Sequence, residues 1–175
     1  MMWYRFSKKK YDSAIVALCF SPKEISSLKI KHNLSKEEIV PKDEYHVTMM
    51  YLGELKNLKK DKSHIEKALE KLAEKHKPFD LKLGGITKFF SDKDKNPFVF
   101  TVNAPEVEVL RNAILDCMDK LNIIEPEDSP SFIPHMTLAY SEPFDVNDIE
   151  LTNDTLKVKG IHLSWGGDLK LFKFS

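Results

Sequence analysis

The sequence predicts an α+β fold made of two similar halves, and three observations lead to this expectation. Predicted strands and helices alternate irregularly, with hairpins among the strands, unlike the regular βαβ order of a doubly wound sheet. Two amphipathic helical patterns flank these strands. A short polar pattern, H-x-T-x-x-Y, occurs once in each half of the chain. We therefore expect residues 1–175 to form one domain with two pseudo-symmetric parts.

The first half of the chain is predicted as strand, helix, strand, helix. Residues 13–20 are a short apolar run rich in β-forming residues, which is typical of a buried strand. Residues 22–34 open with a proline at a first-turn position and predict a helix. Residues 45–52 predict a second strand, ended by Gly53. Residues 63–77 carry a capping serine and apolar side chains at helical spacing, so they predict an amphipathic helix.

The second half of the chain is predicted to be mostly strand, with one helix. The helix covers residues 105–123, which begin with proline and carry a broad apolar face. The predicted strands are alternating or apolar runs, and they span residues 79–90, 98–104, 132–140, 155–165 and 168–174. A charged turn joins the first two of these strands.

Composition argues against a long nucleic acid as the partner. The chain has 27 Lys+Arg and 27 Asp+Glu, so it lacks the global basic charge that draws proteins onto such polymers. A hydrophobic content of 42% describes an ordinary globular protein. We expect a small nucleotide or a short oligonucleotide to suit this balance better.

Cysteine usage and hydropathy predict a cytoplasmic protein with no membrane partner. Cys19 and Cys117 are read as free thiols, which suits a reducing compartment. No apolar run approaches membrane-spanning length. Residues 1–12 are aromatic and then basic, the wrong order for a signal peptide.

The repeated motif places its polar residues on one face of each predicted strand. Side chains at i and i+2 of a strand project to the same side, so His46 lies beside Thr48, and His135 beside Thr137. If a pseudo-two-fold relates the halves, the two His-Thr pairs face each other across one cleft. By the same parity the motif tyrosines should point away from this face, unless a bulge turns them.

Two such pairs have the chemistry for displacement at phosphorus. One imidazole acts as base on the attacking side and the other as acid on the leaving side. Threonine hydroxyls can donate to the non-bridging oxygens of the phosphate between them. The sequence has no metal-ligand spacing such as C-x-x-C or H-E-x-x-H and no phosphate-binding P-loop. We therefore expect neither a metal nor another cofactor.

Two aromatic residues are further candidates for substrate binding. Trp165, beside a glycine pair, could stack on a nucleobase at the edge of the cleft. Phe89, which precedes a charged loop, could form one wall of a base pocket. Packing in the core is the competing interpretation for both side chains.

The segments HVTMMYLG and FIPHMTLAY resemble the paired H-x-T/S-x motifs of the 2H phosphoesterase superfamily. This superfamily includes 2′-5′ RNA ligase-like proteins, 2′,3′-cyclic nucleotide phosphodiesterases, enzymes that degrade 2′-5′ oligoadenylate, and phage-encoded homologues. The resemblance implies a bilobal, LigT-like α+β fold with a central cleft and metal-independent phosphodiester chemistry. It also implies that His46 and His135 are the acid/base pair and that Thr48 and Thr137 contact phosphate.

One departure from the family bears on the substrate. RNA-ligase-like members often place a basic residue shortly after H-x-T, whereas Met50 and Tyr51 follow the first motif here, and Ala139 and Tyr140 the second. The sequence around both motifs is more similar to that of the phage-encoded members. For a phage protein the compartment would be a host cytoplasm. Short or cyclic nucleotides therefore fit better than long RNA.

The expected function is a metal-independent phosphodiesterase. Its substrate would be a 2′,3′-cyclic phosphate, a 2′-5′ linkage or a cyclic oligonucleotide signal. An alternative from another class is a non-catalytic nucleotide-binding or virion-associated domain of the same fold. A third alternative, 2′-5′ RNA ligation, remains open, although no site for ATP-dependent ligation is visible in the sequence.

Overall fold

The computed structural model describes residues 11–90, 94–126, 131–142 and 145–175. The predictions made for residues 1–10 and for part of the charged turn after residue 90 therefore lie outside the described residues. The strands are β1 (Ser13–Cys19), β2 (Ile30–Lys31), β3 (His46–Glu54), β4 (Phe79–Lys88), β5 (Asn96–Asn103), β6 (His135–Ser141), β7 (Glu150–Leu151), β8 (Thr155–Val158), β9 (Gly160–Trp165) and β10 (Asp168–Lys173). The α-helices are α1 (Pro22–Ser27), α2 (Lys62–Ala73) and α3 (Pro105–Asp119).

Two antiparallel four-stranded sheets form the two lobes. The first sheet, lobe A, has the order β10-β9-β1-β3, and the second, lobe B, has the order β6-β5-β4-β8. Each sheet carries one copy of the repeated motif on an edge strand, β3 in lobe A and β6 in lobe B. The predicted α+β, two-lobed architecture is confirmed.

The lobes are not consecutive halves of the chain, because the last strands return to lobe A. The strand predicted over residues 155–165 is wrong as a single element. It divides into β8, which pairs with β4 in lobe B, and β9, which pairs with β1 in lobe A. The chain crosses between the sheets at Gly160, where a side chain would collide with the carbonyl oxygen of Phe172. A glycine is therefore required at the crossing.

Helix α1 is much shorter than the predicted helix over residues 22–34. A capping box between Ser21 and Glu24 starts it, but the backbone of Leu28 is already extended. The following residues pair as β2 with β7, and the Thr152 N–H donates to the Lys29 carbonyl oxygen at 2.9 Å. Pairing with a distant segment has overridden a local helical pattern, which short-range periodicity cannot reveal.

The other helices agree better with the prediction. Helix α2 begins after Asp61 rather than at a capping Ser63, and α3 ends at Asp119, before the predicted limit of residue 123. Gly53 does not end its strand but lies within β3 at a φ of 113°. Differences of this kind fall at element ends, where sequence signals are weakest.

The main apolar core lies between the helices and one face of the sheets. Helices α2 and α3 contact each other, α2 contacts β9 and β10, and α3 contacts β3. The core includes fully buried Val16, Val47 and Met49 from lobe A and Leu138 from lobe B. The opposite faces of the sheets are thereby left to form the candidate site.

Two further observations concern the cysteines and the helices. Cys19 and Cys117 are both half-buried free thiols. None of the helices in the described ranges combines the length and hydrophobicity that crossing a bilayer requires.

Candidate active site

The two motif strands meet where the lobes adjoin. Strands β3 and β6 are each the edge of their own sheet, and they contact each other. Protonation of His135 would lower the pKa of His46, so the two rings lie close enough to interact electrostatically. His46, Thr48, His135 and Thr137 are all half-buried, unlike the fully buried residues that alternate with them. The arrangement brings both predicted His-Thr pairs into one region.

Both motif histidines are held by the same local hydrogen bond. His46 Nδ1 lies 2.7 Å from the Glu44 carbonyl oxygen, and His135 Nδ1 lies 2.7 Å from the Ile133 carbonyl oxygen. A carbonyl oxygen only accepts, so Nδ1 carries the proton and donates in each ring. The neutral tautomer therefore has its basic lone pair on Nε2 in both halves.

Matching β-bulges turn the motif tyrosines onto the histidine face. In lobe A, Thr48 pairs with Ala17 and Met50 with Val16, so Met49 is the extra residue. Beyond the bulge, Tyr51 pairs with Ile15. Ile15 and Ala17 lie two positions apart on β1 and so project to the same face, which puts Tyr51 on the same face as Thr48. The expectation that Tyr51 points away from His46 is wrong, because the bulge reverses the parity.

Lobe B contains the same irregularity. Thr137 pairs with Val99 and Ala139 with Phe98, which leaves Leu138 as the extra residue. Tyr140 then pairs with Pro97, on the face that carries Val99. The expectation for Tyr140 is wrong for the same reason. The full repeat H-x-T-x-x-Y thus encodes three side chains on one face of each motif strand.

Burial lowers the pKa of both motif histidines, by different amounts. Desolvation lowers the pKa of His46 to about 4, and the charge of His135 adds to the effect in spite of the bond to Glu44. Desolvation also lowers the pKa of His135 below its ordinary value, partly offset by the hydrogen bond to Ile133. Both imidazoles are therefore neutral at pH 7 before a substrate binds.

Of the two predicted aromatic residues, the structure brings one to the motif. The Phe89 ring lies edge-on to His135, with 4.8 Å between ring centroids. Trp165 pairs with Ala14, in the row that faces the apolar core, and packs half-buried against that core. The structure does not support the prediction that Trp165 stacks on a base beside the histidines, because strand parity turns it to the other face.

Arg111 on α3 is a residue that sequence reasoning missed. It is buried, donates through Nη1 to the carbonyl oxygen of the bulge residue Met49, and its Nη2 lies 2.5 Å from Glu125 Oε2. Its guanidinium also lies 4.6 Å from the ring centroid of Phe132, which leads into the second motif. A single charged residue within the apolar stripe of a helix was the available signal.

The corresponding edge of β6 is covered by the chain itself. Val40 N–H donates to the carbonyl oxygen of the bulge residue Leu138 at 2.8 Å, and Tyr140 N–H donates to the Glu38 carbonyl oxygen at 2.9 Å. Glu38 also accepts a bond of 2.5 Å from the buried Ser141 hydroxyl. This hydrogen bond is the main reason that the pKa of Glu38 falls to about 2, so the carboxylate stays ionised.

Metal ligation is not suggested by the arrangement of the described side chains. Within the residues that the structure describes, no group of three or more His, Cys, Asp or Glu is positioned to hold a metal ion. What the two motifs bring together is instead two imidazoles with basic Nε2 atoms, two threonine hydroxyls and two phenols. These groups can exchange protons with an anionic ligand and donate hydrogen bonds to it.

Comparison with solved structures shows the same fold at low sequence identity. TT0787 of Thermus thermophilus superposes with a TM-score of 0.65 at 18% identity, over 92% of this chain and 95% of that one. E. coli LigT in complex with 3′-AMP gives a TM-score of 0.57 at 18% identity, over 95% and 96% of the chains. Kluyveromyces marxianus Usb1 gives 0.56 at 9% identity, over 93% and 98%.

Sequence comparison agrees with the fold. No match was found among the curated proteins. The model of the 2′-5′ RNA ligase superfamily matches residues 21–157, which contain both H-x-T motifs and most of the chain. Together with the LigT-like fold, this match supports phosphodiesterase-type chemistry in broad terms. The chain belongs to the 2′-5′ RNA ligase superfamily, the 2H phosphoesterases.

Proposed function

We propose that this protein is a metal-independent phosphodiesterase that cleaves a nucleotide phosphodiester by two-histidine acid/base catalysis. The observation that carries the proposal is the equivalent setting of His46 and His135. Each donates Nδ1–H to the carbonyl two residues before it, so in each ring Nε2 is the atom that can accept or donate the proton in catalysis. A histidine with a purely structural role would not require a second histidine in the same hydrogen-bonded setting on the adjoining motif strand.

In the proposed reaction one histidine acts on each side of phosphorus. Nε2 of one ring takes the proton of the attacking hydroxyl as the new P–O bond forms. Nε2–H of the other ring gives its proton to the leaving oxygen as the old P–O bond breaks. With a ribose hydroxyl as nucleophile the product is a 2′,3′-cyclic phosphate; with water it is a monoester.

The remaining motif residues would hold the phosphate between the rings. Thr48 and Thr137 hydroxyls donate to the non-bridging oxygens, where charge grows in the transition state. Tyr51 and Tyr140, on the same faces, are in position to contact the groups attached to phosphorus. Phe89, beside His135, would contact the nucleoside on that side.

We propose a small nucleotide or a short oligonucleotide as the substrate. The chain is electrically neutral overall, with 27 basic and 27 acidic residues, which favours a short ligand over a long polyanion. Among the proteins of similar fold, E. coli LigT has been crystallised with 3′-AMP, NADP+ and ATP. A 2′,3′-cyclic phosphate, a 2′-5′ linkage and a cyclic oligonucleotide are the substrate classes to test.

The test is turnover of these three classes in EDTA by the wild type and by His46→Ala and His135→Ala. We expect metal-independent cleavage that falls at least about 100-fold in each variant. His64→Ala, at an exposed position on α2, is the matched control and should leave the rate unchanged. Turnover that survives both motif substitutions, or that needs a divalent metal, contradicts the mechanism.

Two alternative functions give different results in the same experiment. Tight nucleotide binding without turnover favours a non-catalytic nucleotide-binding domain of this fold. Joining of RNA halves that carry a 2′,3′-cyclic phosphate would indicate ligation, in which the same two histidines exchange protons in the reverse direction. The superfamily to which the chain belongs is the reason to include this assay.

A further inference from the structure

A cavity of about 350 Å³ lies next to Cys19, the strand partner of His46, where β9 and β10 of lobe A meet the end of β8 from lobe B. Its lining includes apolar Phe20, Leu169 and Leu171, together with polar His162 and Asp43. Leu169 and Leu171 are 48% and 41% exposed, so two large apolar side chains face solvent at this position. Small-ligand sites have this character, with apolar walls and a few polar groups, and volumes from about 300 Å³ upward.

The cavity continues the histidine face of the sheet. Cys19, which lines the cavity, pairs with His46. Ala17 pairs with Thr48 on one side and with His162 on the other, so these three side chains share a row. Two strand spacings separate Thr48 from His162, which is about 9–10 Å. Ala17, the residue between them, is small and fully buried, and the cavity begins on its far side from Thr48, at His162.

His162 presents a hydrogen-bond donor to the cavity. Its Nδ1 accepts from the Cys19 backbone N–H at 3.3 Å, so the ring proton is on Nε2. This tautomer is opposite to that of His46 and His135. Burial lowers the pKa of His162 to about 4, so the ring stays neutral at pH 7 and serves as a donor rather than a cation.

The charges around the cavity suit an uncharged group. Lys159 forms an ion pair of 2.8 Å with Glu24, and Lys157 forms one of 3.1 Å with Asp80. With both lining lysines paired, Asp43 adds a negative charge to the lining, which disfavours a second phosphate there. An aromatic base with hydrogen-bond acceptors on its edge matches the apolar walls and the neutral donor.

We propose that this cavity binds the nucleoside attached to one side of the scissile phosphate, with His162 donating to the base. The inference rests on the proposed function and extends it, because it specifies where one substituent of the phosphodiester lies. Leu169 and Leu171 contact the base, while the phosphate stays between the motif histidines. The volume fits one nucleoside, so the substrate class is a dinucleotide or a short oligonucleotide whose second nucleoside lies on the Phe89 side.

The test compares two substrates and two kinds of variant. His162→Asn keeps an acceptor for the Cys19 N–H but removes the donor at the Nε2 position. Leu171→Ala removes part of the apolar wall at a position that is 41% exposed. We expect either change to raise KM for 2′-5′ ApA about tenfold, with a much smaller effect on bis(4-nitrophenyl) phosphate, which has no nucleoside. His64→Asn and Val109→Ala, at exposed positions that do not line the cavity, are the matched controls.

The outcomes separate the cavity from the chemistry. Equal effects on both substrates, or none on either, overturn the nucleoside site while leaving the phosphodiesterase proposal intact. If the wild type turns over neither substrate, calorimetric titration with 2′-5′ ApA still tests the cavity. Binding that weakens in His162→Asn supports the site, and binding that is absent or unchanged overturns it.

Discussion

The two motif strands share one internal geometry but are supported from outside in different ways. β3 and β6 have the same order of histidine, threonine, bulge and tyrosine, and the same Nδ1–carbonyl bond. At the outer edge of β3, side chains satisfy the backbone: Arg111 donates to the bulge carbonyl, and Glu125 accepts from the Tyr51 N–H at 3.5 Å. At the edge of β6, the backbone of residues 38–40 makes the corresponding bonds: Val40 N–H donates to the bulge carbonyl of Leu138, and the Glu38 carbonyl accepts from the Tyr140 N–H.

This difference distinguishes the orientation of the motif side chains, which the site requires, from the contacts that support each motif strand. A bulge leaves one backbone carbonyl out of the regular ladder, and that carbonyl must find a donor when it is buried. Lobe A uses a guanidinium from a helix, and lobe B uses an extra segment of chain. Because both solutions give the same orientation of the three motif side chains, that orientation is the property common to the two halves.

The largest expected effect comes from removing both motif histidines together. His46→Ala and His135→Ala should each lower kcat/KM by about 10²–10⁴-fold, because each removes one proton transfer. The double variant should lose little more than the worse single variant, since the two rings act as one unit. Steady-state kinetics with the preferred nucleotide give kcat/KM for the wild type, the two single variants and the double variant. Independent, multiplicative losses would mean that the two halves do not cooperate in one step.

The next effect concerns the unequal edge supports. Arg111→Met should destabilise the protein by about 3 kcal/mol, because it leaves the Met49 carbonyl without its donor and the Glu125 carboxylate without its cation. Urea unfolding measures the change. Ser141→Ala, which removes only a side-chain bond to Glu38 on the other edge, is the matched comparison and should cost clearly less.

Arg111 should also influence the rate through the site that it supports. It contacts Met49 and Phe132, so it links the first motif to the chain that enters the second. We expect Arg111→Met to lower kcat at temperatures where the variant is still folded, whereas Ser141→Ala should not. A loss of stability with an unchanged kcat would show that Arg111 holds the fold but does not position the motif.

The unequal burial of the two histidines predicts an acidic pH optimum. One ring must be neutral and the other protonated in the free enzyme, and the pKa of His46, about 4, lies furthest below the ordinary value of 6.5. As pH rises, kcat/KM should increase when His46 loses its proton near pH 4. It should then decrease as His135 loses its proton, below pH 6.5. We therefore propose His46 as the base and His135 as the acid for the forward reaction.

The pH profile of the variants checks this assignment. In the residual activity of His46→Ala the acidic limb should disappear, and in His135→Ala the alkaline limb should disappear. An optimum above pH 7 would contradict the order of the pKa values. Loss of the opposite limb in each variant would reverse the assignment of base and acid.

Much of the fold could be predicted from the sequence where periodicity was local. The two long helices, the motif strands and the common face of His46 and Thr48 follow from spacing alone. The crossing at Gly160 could not be predicted, because β8 and β9 form one alternating run and only partners far along the chain divide it. The pairing of β2 with β7, which shortens α1, could not be predicted for the same reason.

The tyrosines were misplaced for a different physical reason. Strand parity is reliable only while the ladder is regular, and one extra residue reverses it. The sequence contained a usable signal, since Met49-Met50 and Leu138-Ala139 are paired apolar residues where strict alternation would place one polar residue. Both members of each pair are fully buried in the structure. The repeat of Tyr51 and Tyr140 at one offset therefore reflected a repeated bulge.

The smallest expected effect tests whether the bulges matter to the substrate. Tyr51→Phe and Tyr140→Phe each remove one hydroxyl from the histidine face, and a neutral hydrogen bond contributes about 1 kcal/mol, or about fivefold in affinity. We expect KM for the nucleotide to rise by that factor with kcat nearly unchanged, because the contact is made in ground and transition states alike. Equal factors would mean that both substituents of phosphorus are recognised alike, whereas an effect at one tyrosine alone would show that the lobes divide the substrate unequally. No change in either variant would mean that the bulges orient the motif without bringing the phenols to the ligand.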